Sequence, residues 1–531
     1  MRTLFLATFA ALLSLTPTAA QFQIGGSPRV KAEDFAITVF ADGLNYPVGM
    51  ERLDDGSILV AVANGASFFS STSGQILRLI DADDDGVAET RQVLLSSLSV
   101  GAPSALQRVG DLLFVTGQDK PIVILRIGPA PDYELRQIGR INITGSGSWL
   151  HANSALVARR APGTTDTYEL YFPLGSKVNY APTTDTRALS TDFGISGTLA
   201  GDAIHRITFS DDGTKLTGIE HVQIATGLRS ASGLAFHPQT GDLYFEDNGI
   251  DGLQEAIEAH SADEINMIPA AQLGGDIENF GFPYNHITYR TGEFFGGEGI
   301  PPVVAFTPLP DPATGSESEG PNEIAFAPPG FPAGLNNGLF VGFHGQFSRG
   351  GLSNEENPLV YVDLDTREYF HFVSNEEPGI GHPIGLLATG NRLFVADISS
   401  QGGFNSSAEN SGFIYQIRYT GPQTTAVTEI AGQTPDAFAL GQAYPNPFNP
   451  STQVNFSIPV GAQNQAASLQ VYDAVGQLVA TLLNGPLAAG HYQADWDGTD
   501  DAGRAVGSGS YFLHLRIGDL YWASQKMTLL K

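Results

Sequence analysis

The sequence predicts an all-β chain, a six-bladed β-propeller followed by a small β-sandwich, and three observations lead there. Short runs of alternating apolar and polar residues are punctuated by Gly, Asp and Pro clusters at intervals of roughly 8–12 residues, the spacing of short strands and tight turns. One unit, a loop with a small apolar pair followed by a turn and an aromatic-rich strand, recurs at 45–61, 101–117, 150–175, 230–248, 320–345 and 382–397. After Tyr419 that unit stops, and a different set of short strand candidates runs towards Lys531.

The clearest copy is SASGLAFHPQTGDLYFEDN, residues 230–248. Such a unit cannot bury a face alone, so neighbouring copies must supply its core, as they do in a radial array of sheets. The propeller is assigned to 21–420, with its blades between Phe35 and Tyr419 and a polar N-terminal arm over 21–34. In the first blade, 73–80 and 90–98 read as paired strands. Residues 181–203 and 285–320 lack periodicity and are rich in Gly, Pro and Thr. Loops of that length act as lids over one propeller face or stay disordered. Residues 421–436 read as a polar linker, and 437–531 as the sandwich, with strands at 453–458, 467–473, 477–483, 491–496 and 510–517.

Arg2, the apolar run LFLATFAALLSL and the small residues Thr18-Ala19-Ala20 form a secretory signal pattern over 1–20. No later stretch is long enough to span a membrane as a helix, so the expected location is secreted or cell-surface. The chain has no cysteine, which excludes disulfides, thiolate metal sites and cysteine nucleophiles. With 56 acidic against 27 basic residues the net charge is −29, and nucleic acid is excluded as a partner because no basic stripe exists to neutralise phosphates. Most of that acidity reads as solvated surface, and part of it suits divalent cations.

One acidic loop is more specific. Asp81, Asp83, Asp85 and Glu89 stand at positions 1, 3, 5 and 9 of a loop with Gly86 at 6 and the Val87 carbonyl at 7. That is an oxygen shell suited to calcium. Gln92 occupies the place of an EF-hand glutamate and the flanks read as strands, so the loop is expected to be a calcium hairpin with a structural role. An acidic turn without an ion remains the alternative.

Propellers bind ligands at one end of the central channel, on the loops between blades. The polar residues at the loop position of the repeats are His151, Arg229, His344, Arg349 and His382. Imidazoles and guanidiniums converging there suit a planar anionic ligand or abstraction of a proton.

The propeller resembles the glucose/sorbosone dehydrogenase family, soluble quinoproteins that use pyrroloquinoline quinone with calcium. The resemblance is carried by ATGLRSASGLAFHPQTGDLYFEDNG, SADEINMI and NFGFPY (225–249, 261–268, 279–284), by FVGFHGQFSRGG (340–351), and by WLHANSALV with LYFPLGSKVNY (149–157, 170–180). It implies an oxidoreductase acting on a sugar, polyol or aldose and passing electrons to an external acceptor. It further implies that His151 takes the substrate hydroxyl proton and that Arg229 contacts the quinone. Lys177, Asn248, His344, Arg349 and His382 would line the same site, and Asp263 and Glu264 would be calcium-associated or loop-fixing acids. The chain departs from the family at Ser154, Ser230 and His382-Pro383, where arginine, asparagine and Arg-Pro are usual. Fewer cations weaken the hold on a tricarboxylated quinone.

The C-terminal module resembles the type A sorting domain of the type IX secretion system, which has a FlgD-like immunoglobulin fold. YPNPFNPST, the stretch 495–515 and the last seven residues, QKMTLLK, carry this. It implies secretion machinery as a partner. Two other functions stay open: a calcium-dependent lactonase, for which Asn248, Asp247 and Asp263 are the available ligands, and a non-catalytic propeller that binds glycans or proteins.

Overall fold

The computed structural model describes residues 22–530 except 251–260, 312, 314, 316–319, 333, 346–357, 375–381, 400–407, 422–426, 431–434, 436, 461–464, 497, 501–505 and 519. The signal pattern over 1–20 and Arg349 therefore lie outside the described residues.

Each of the six repeats forms the first two strands of a four-stranded antiparallel unit. Blade one comprises Met50–Arg52, Ile58–Ala63, Gly74–Ile80 and Thr90–Leu98, and blade two Pro103–Val109, Leu112–Gly117, Ile122–Ile127 and Leu135–Thr144. Blade three comprises Val157–Arg160, Thr167–Leu174, Ala203–Asp211 and Leu216–Thr226. Blade four comprises Ala231–Phe236, Leu243–Asp247, Asp263–Ile268 and Val304–Phe306. Blade five comprises Pro321–Phe326, Leu339–Phe343, Leu359–Val362 and Tyr369–Val373. Blade six takes Pro383–Thr389, Arg392–Asp397 and Gly412–Tyr419, and its outer strand is the N-terminal Phe35–Leu44, paired with Gly412–Tyr419. The first strands of the blades touch one another in ring order. The ring is thus closed by hydrogen bonds between the two ends of the propeller sequence.

The small residues of the repeat are there because the inner strands nearly touch. A Cβ at Gly49 would lie 2.3 Å from the Leu106 nitrogen, and one at Gly385 would lie 2.6 Å from the Val48 carbonyl oxygen. The open edge of an inner strand is satisfied by a side chain of the preceding blade. Glu51 accepts from the Arg108 N–H at 2.9 Å, Gln107 from the Ala158 N–H, and Asn322 donates to the Ile384 carbonyl at 3.1 Å. Unpaired backbone groups away from water are costly, so these contacts set blade spacing as well as stability. Between the blades, apolar side chains interleave, as Leu59 and Ala61 do with Leu113, Val115 and Val123.

Three segments differ from expectation. Within 181–203, Thr186–Thr191 and Ser196–Ala200 form a hairpin that continues the sheet of blade two, with Ala188 opposite Thr144. Arg187 and Leu189 are buried there, so alternation was present but short and masked by Thr and Gly. Within 285–320, His286–Ile287 pairs with Phe294–Phe295, and Val304–Phe306 is the fourth strand of blade four. The arm over 21–34 buries Phe22 and Ile24 against Phe372, Leu386 and Tyr415, and the Gly25 N–H donates to the Phe372 carbonyl at 3.0 Å.

The sandwich has one sheet of Val427–Ile430, Gly490–Trp496, Thr452–Ile458 and Ala439–Leu440, and another of Leu478–Pro486, Ala466–Tyr472, Gly509–Ile517 and Tyr521–Leu529. Between them lie Phe456, Leu469, Trp496 and Leu513. The expected linker therefore contains a strand, Val427–Ile430, whose polar residues hid it. In the YPNPFNPST segment, Phe448 is buried with its ring 5.4 Å from Trp496. Among the described residues no helix is long and apolar enough to cross a membrane, which says nothing of a β-barrel.

Candidate active site at the channel mouth

In a four-stranded antiparallel blade, the loop entering the first strand and the loop joining the second to the third lie at the same end. At that end, backbone hydrogen bonds stitch the sequence-selected residues into one arc. The His151 N–H donates to the Ser176 carbonyl at 2.9 Å, and the Ser176 N–H donates to the Arg229 carbonyl at 2.7 Å. Gly175 allows this: a Cβ there would lie 2.6 Å from the Arg229 oxygen and 2.9 Å from the His151 Cβ. Arg229 is buried, with Nε donating to Asn179 Oδ1 at 2.9 Å and Nη1 to the Asn248 carbonyl at 3.2 Å. The Asn248 amide donates to Glu246 at 3.1 Å and to the Pro321 carbonyl at 2.9 Å. From there the arc reaches His344, whose N–H donates to the Gly320 carbonyl at 2.9 Å, and then His382, whose Nδ1 meets the His344 carbonyl.

Two aspartates that end second strands fix these loops. Asp247 accepts from the Ser230 N–H at 2.6 Å and the Arg229 N–H at 3.0 Å. Asp397 accepts from the N–H groups of His382 at 3.0 Å and Ser399 at 3.1 Å. Asp263 does the same from blade four, accepting from Gly249 at 2.6 Å and Gly320 at 2.8 Å. Asp263 is among the residues singled out from the sequence and Asp397 is not, although the shared ends LYFED and LFVAD of two repeats point to it.

Burial dominates the electrostatics. It pushes the Asp247 carboxyl up to about 7, against the pull of two N–H groups and the Arg229 charge. It pushes Glu264 up to about 8, helped by the Asp247 and Asp263 charges. Glu246, fully buried, is raised well above the carboxylate range by burial and by Asp263, Asp247 and Glu323. Burial also lowers His382, keeping it neutral near pH 7. Asp247 and Asp263 each accept two backbone N–H groups, and the Asn248 amide N–H₂ is engaged by Glu246 and the Pro321 carbonyl.

Not every residue joins the arc through its side chain. The Lys177 ammonium is paired with Asp185, while its carbonyl accepts from the Leu150 N–H at 3.2 Å. The Asp81–Glu89 loop joins the third and fourth strands of blade one and so lies at the opposite end of the ring. There the carboxylate oxygens of Asp81, Asp83, Asp85 and Glu89 come within 4.8 Å of one another. Asp84 pairs with Arg392 and, at 3.2 Å, with Arg418, and the Thr38 hydroxyl donates to the Gly86 carbonyl at 2.8 Å. The loop thus crosses from blade one to blade six, over the seam that closes the ring.

Comparison with known proteins adds the following. The FlgD Ig-like domain family matches residues 444–516. The Trichoderma reesei carbohydrate-active enzyme of family AA12, in its calcium structure, is similar with a TM-score of 0.51 and 14% identity, over 76% of this chain and 99% of that one. The holo pyranose dehydrogenase PQQ domain of Coprinopsis cinerea gives 0.48 and 14%, over 76% and 98%. An uncharacterised protein of Borreliella burgdorferi is 28% identical over 193 residues, 34% of this chain. The match spans about half, 47%, of that relative's length. At 14% identity the likeness to the AA12 structure bears on the fold alone, and with the family match at 444–516 the chain is all-β, a propeller followed in sequence by an Ig-like domain.

Proposed function

We propose that the chain is an exported quinoprotein-type dehydrogenase that oxidises a sugar, or a related polyol or aldose, with pyrroloquinoline quinone and calcium. The observation that carries this reading is the backbone stitching of His151 to Arg229 through Ser176, which joins the loop that carries an imidazole to the loop that carries a buried arginine. The residues fit an anionic, planar group in part. Arg229 is oriented by the oxygens of Asn179 and Asn248, while Lys177 is paired with Asp185. Arg229, Asn248, His344 and His382 would hold the quinone, which when bound accepts the hydride from the substrate carbon. His151 would take the substrate hydroxyl proton, and the Glu246 and Glu264 carboxyls, pushed up by burial, oppose an anionic cofactor less than ordinary carboxylates would. The fold shared with the carbohydrate-active AA12 structure agrees with this.

The test is binding of pyrroloquinoline quinone to the purified chain, followed by dye reduction with a panel of aldoses. Calcium-dependent, saturable binding is expected, with turnover reduced about 10²–10⁴-fold in His151→Ala, the span ascribed to a general base. Absence of binding at micromolar quinone rejects the reading and leaves a lactonase or a non-catalytic propeller.

A calcium ion in the Asp81–Glu89 hairpin would serve the closure seam rather than the chemistry. At calcium 100-fold above its Kd it is expected to stabilise the fold by about 2.7 kcal/mol. Thermal melts in calcium against chelator measure this, and Asp83→Ala should remove the difference. For the C-terminal module we propose type IX sorting after cleavage of the leader; mass spectrometry of culture medium and cell surface, with and without residues 437–531, tests that route.

A further inference from the structure

The outer face of the second sandwich sheet departs from the character of the rest of the chain. Strand register places three rows of side chains across Ala466–Tyr472, Gly509–Ile517 and Tyr521–Leu529, because residues directly opposite share a face. The rows are Tyr472–Phe512–Lys526, Gln470–His514–Ser524 and Ser468–Arg516–Trp522. The alternate residues, such as Leu469, Leu513 and Met527, point into the core. Four of the outward positions are aromatic rings, two are cations, and none is acidic, in a chain of net charge −29.

The rings form a platform. Tyr472 and His514 lie 4.8 Å apart at 33°, and His514 meets Trp522 edge-on at 5.6 Å. Trp522 is 64% exposed. The Tyr472 hydroxyl donates to Gln470 at 2.9 Å and Arg516 Nε to the Gly518 carbonyl at 3.0 Å, so neighbouring polar groups steady two members. Tyr472, Phe512 and His514 are half-buried beside Trp522, so the rings present their outer faces around one exposed indole, a surface suited to stacking.

We propose that this face binds an anionic polysaccharide. Sugar rings offer C–H faces to stack on Tyr472, His514 and Trp522, their hydroxyls can reach Gln470, Ser468 and Ser524, and Arg516 and Lys526 meet carboxylate or sulfate groups. Charge favours this ligand class: the nine outward positions carry two cations and no acid in a chain that is acidic as a whole. An acidic peptide would be taken instead by strand addition at a sheet edge, through backbone bonds, and would need no flat aromatic face.

The test is affinity electrophoresis of the full chain in gels containing polygalacturonate, chondroitin sulfate, neutral dextran or poly-glutamate. Retardation by at least one of the two anionic glycans is expected, weakening as salt is added, with little in dextran or poly-glutamate. Trp522→Ala should weaken it about tenfold, as loss of a stacking anchor does. Arg516→Gln with Lys526→Gln should abolish it, and all three exposed changes should leave the melting temperature within about 1–2 °C. No retardation by either glycan, equal retardation by dextran or poly-glutamate, or indifference to Trp522→Ala overturns the proposal. So does a dimer in light scattering that Trp522→Ala dissociates, since the face would then be occupied by a second copy.

Discussion

Asp247→Ala is expected to cost about 3–4 kcal/mol, because it strands two buried backbone N–H groups at about 1–3 kcal/mol each. Those donors belong to Arg229 and Ser230, and Arg229 is buried, so water cannot readily replace the carboxylate. Unfolding entropy grows with chain length, so in a cooperative unit of this size the loss is a melting-temperature drop of only roughly 4 °C. Asp247→Asn should fall between, since the amide keeps one acceptor and turns an N–H₂ towards the other backbone donor. The functional loss should exceed the structural one: once the 229–230 loop is released, Arg229 no longer lies over Asn179 and Asn248, and quinone binding disappears. Asp397→Ala should cost a similar amount through the His382 loop. The two effects should add, because the loops share no partner. A wild-type melt for Asp247→Ala would mean that the stitching to Ser176 alone holds the loop.

How far such an arc is legible in sequence depends on what encodes it. The blades were readable because each repeat must place a small residue where inner strands meet, as Gly49 and Gly385 do, and must alternate to bury two faces. His151 and Arg229 were readable because they occupy the same loop position in successive repeats. Their connection was not, since it runs through the Ser176 backbone, and any residue supplies an N–H and a carbonyl. The closure of blade six by Phe35–Leu44 was equally hidden, because a pairing across almost the whole propeller leaves no local pattern. The hairpin within 181–203 and the strand Val427–Ile430 are hidden for another reason: they sit at sheet margins, where Thr, Gly and Glu interrupt the apolar pattern. The sandwich face argued above emerges only when three strands are laid in register, which separates Tyr472 from Trp522 by fifty residues of sequence and by one neighbouring ring in space.

In chelator, the melting temperature is expected to fall as pH rises from 6.5 to 8, the reverse of a protein held together by ionised carboxylates. Burial raises Glu51 to about 7 and Glu323 to about 8, alongside Asp247 at about 7 and Glu264 at about 8. A carboxyl whose folded value is raised binds its proton more tightly in the native state, so its contribution is complete near pH 4 and is lost as pH climbs through the folded value. Below pH 6.5 buried histidines act the other way. His205 and His371, lowered to about 4 by burial, lose stability as pH falls from 6.5, which blunts the acid side and leaves the alkaline slope steepest. At about 1.4 kcal/mol per proton per pH unit, the four acids together lose about 5 kcal/mol across that window. Glu264→Gln and Glu323→Gln should each flatten the slope, since an amide stays neutral at every pH. Calcium should flatten it too if an ion sits against Glu264 or Asp263, because it favours the ionised form. Melts at several pH values with and without calcium therefore separate two designs: a mouth whose acids are kept neutral to admit an anionic cofactor, and one whose acids are kept charged to hold a metal.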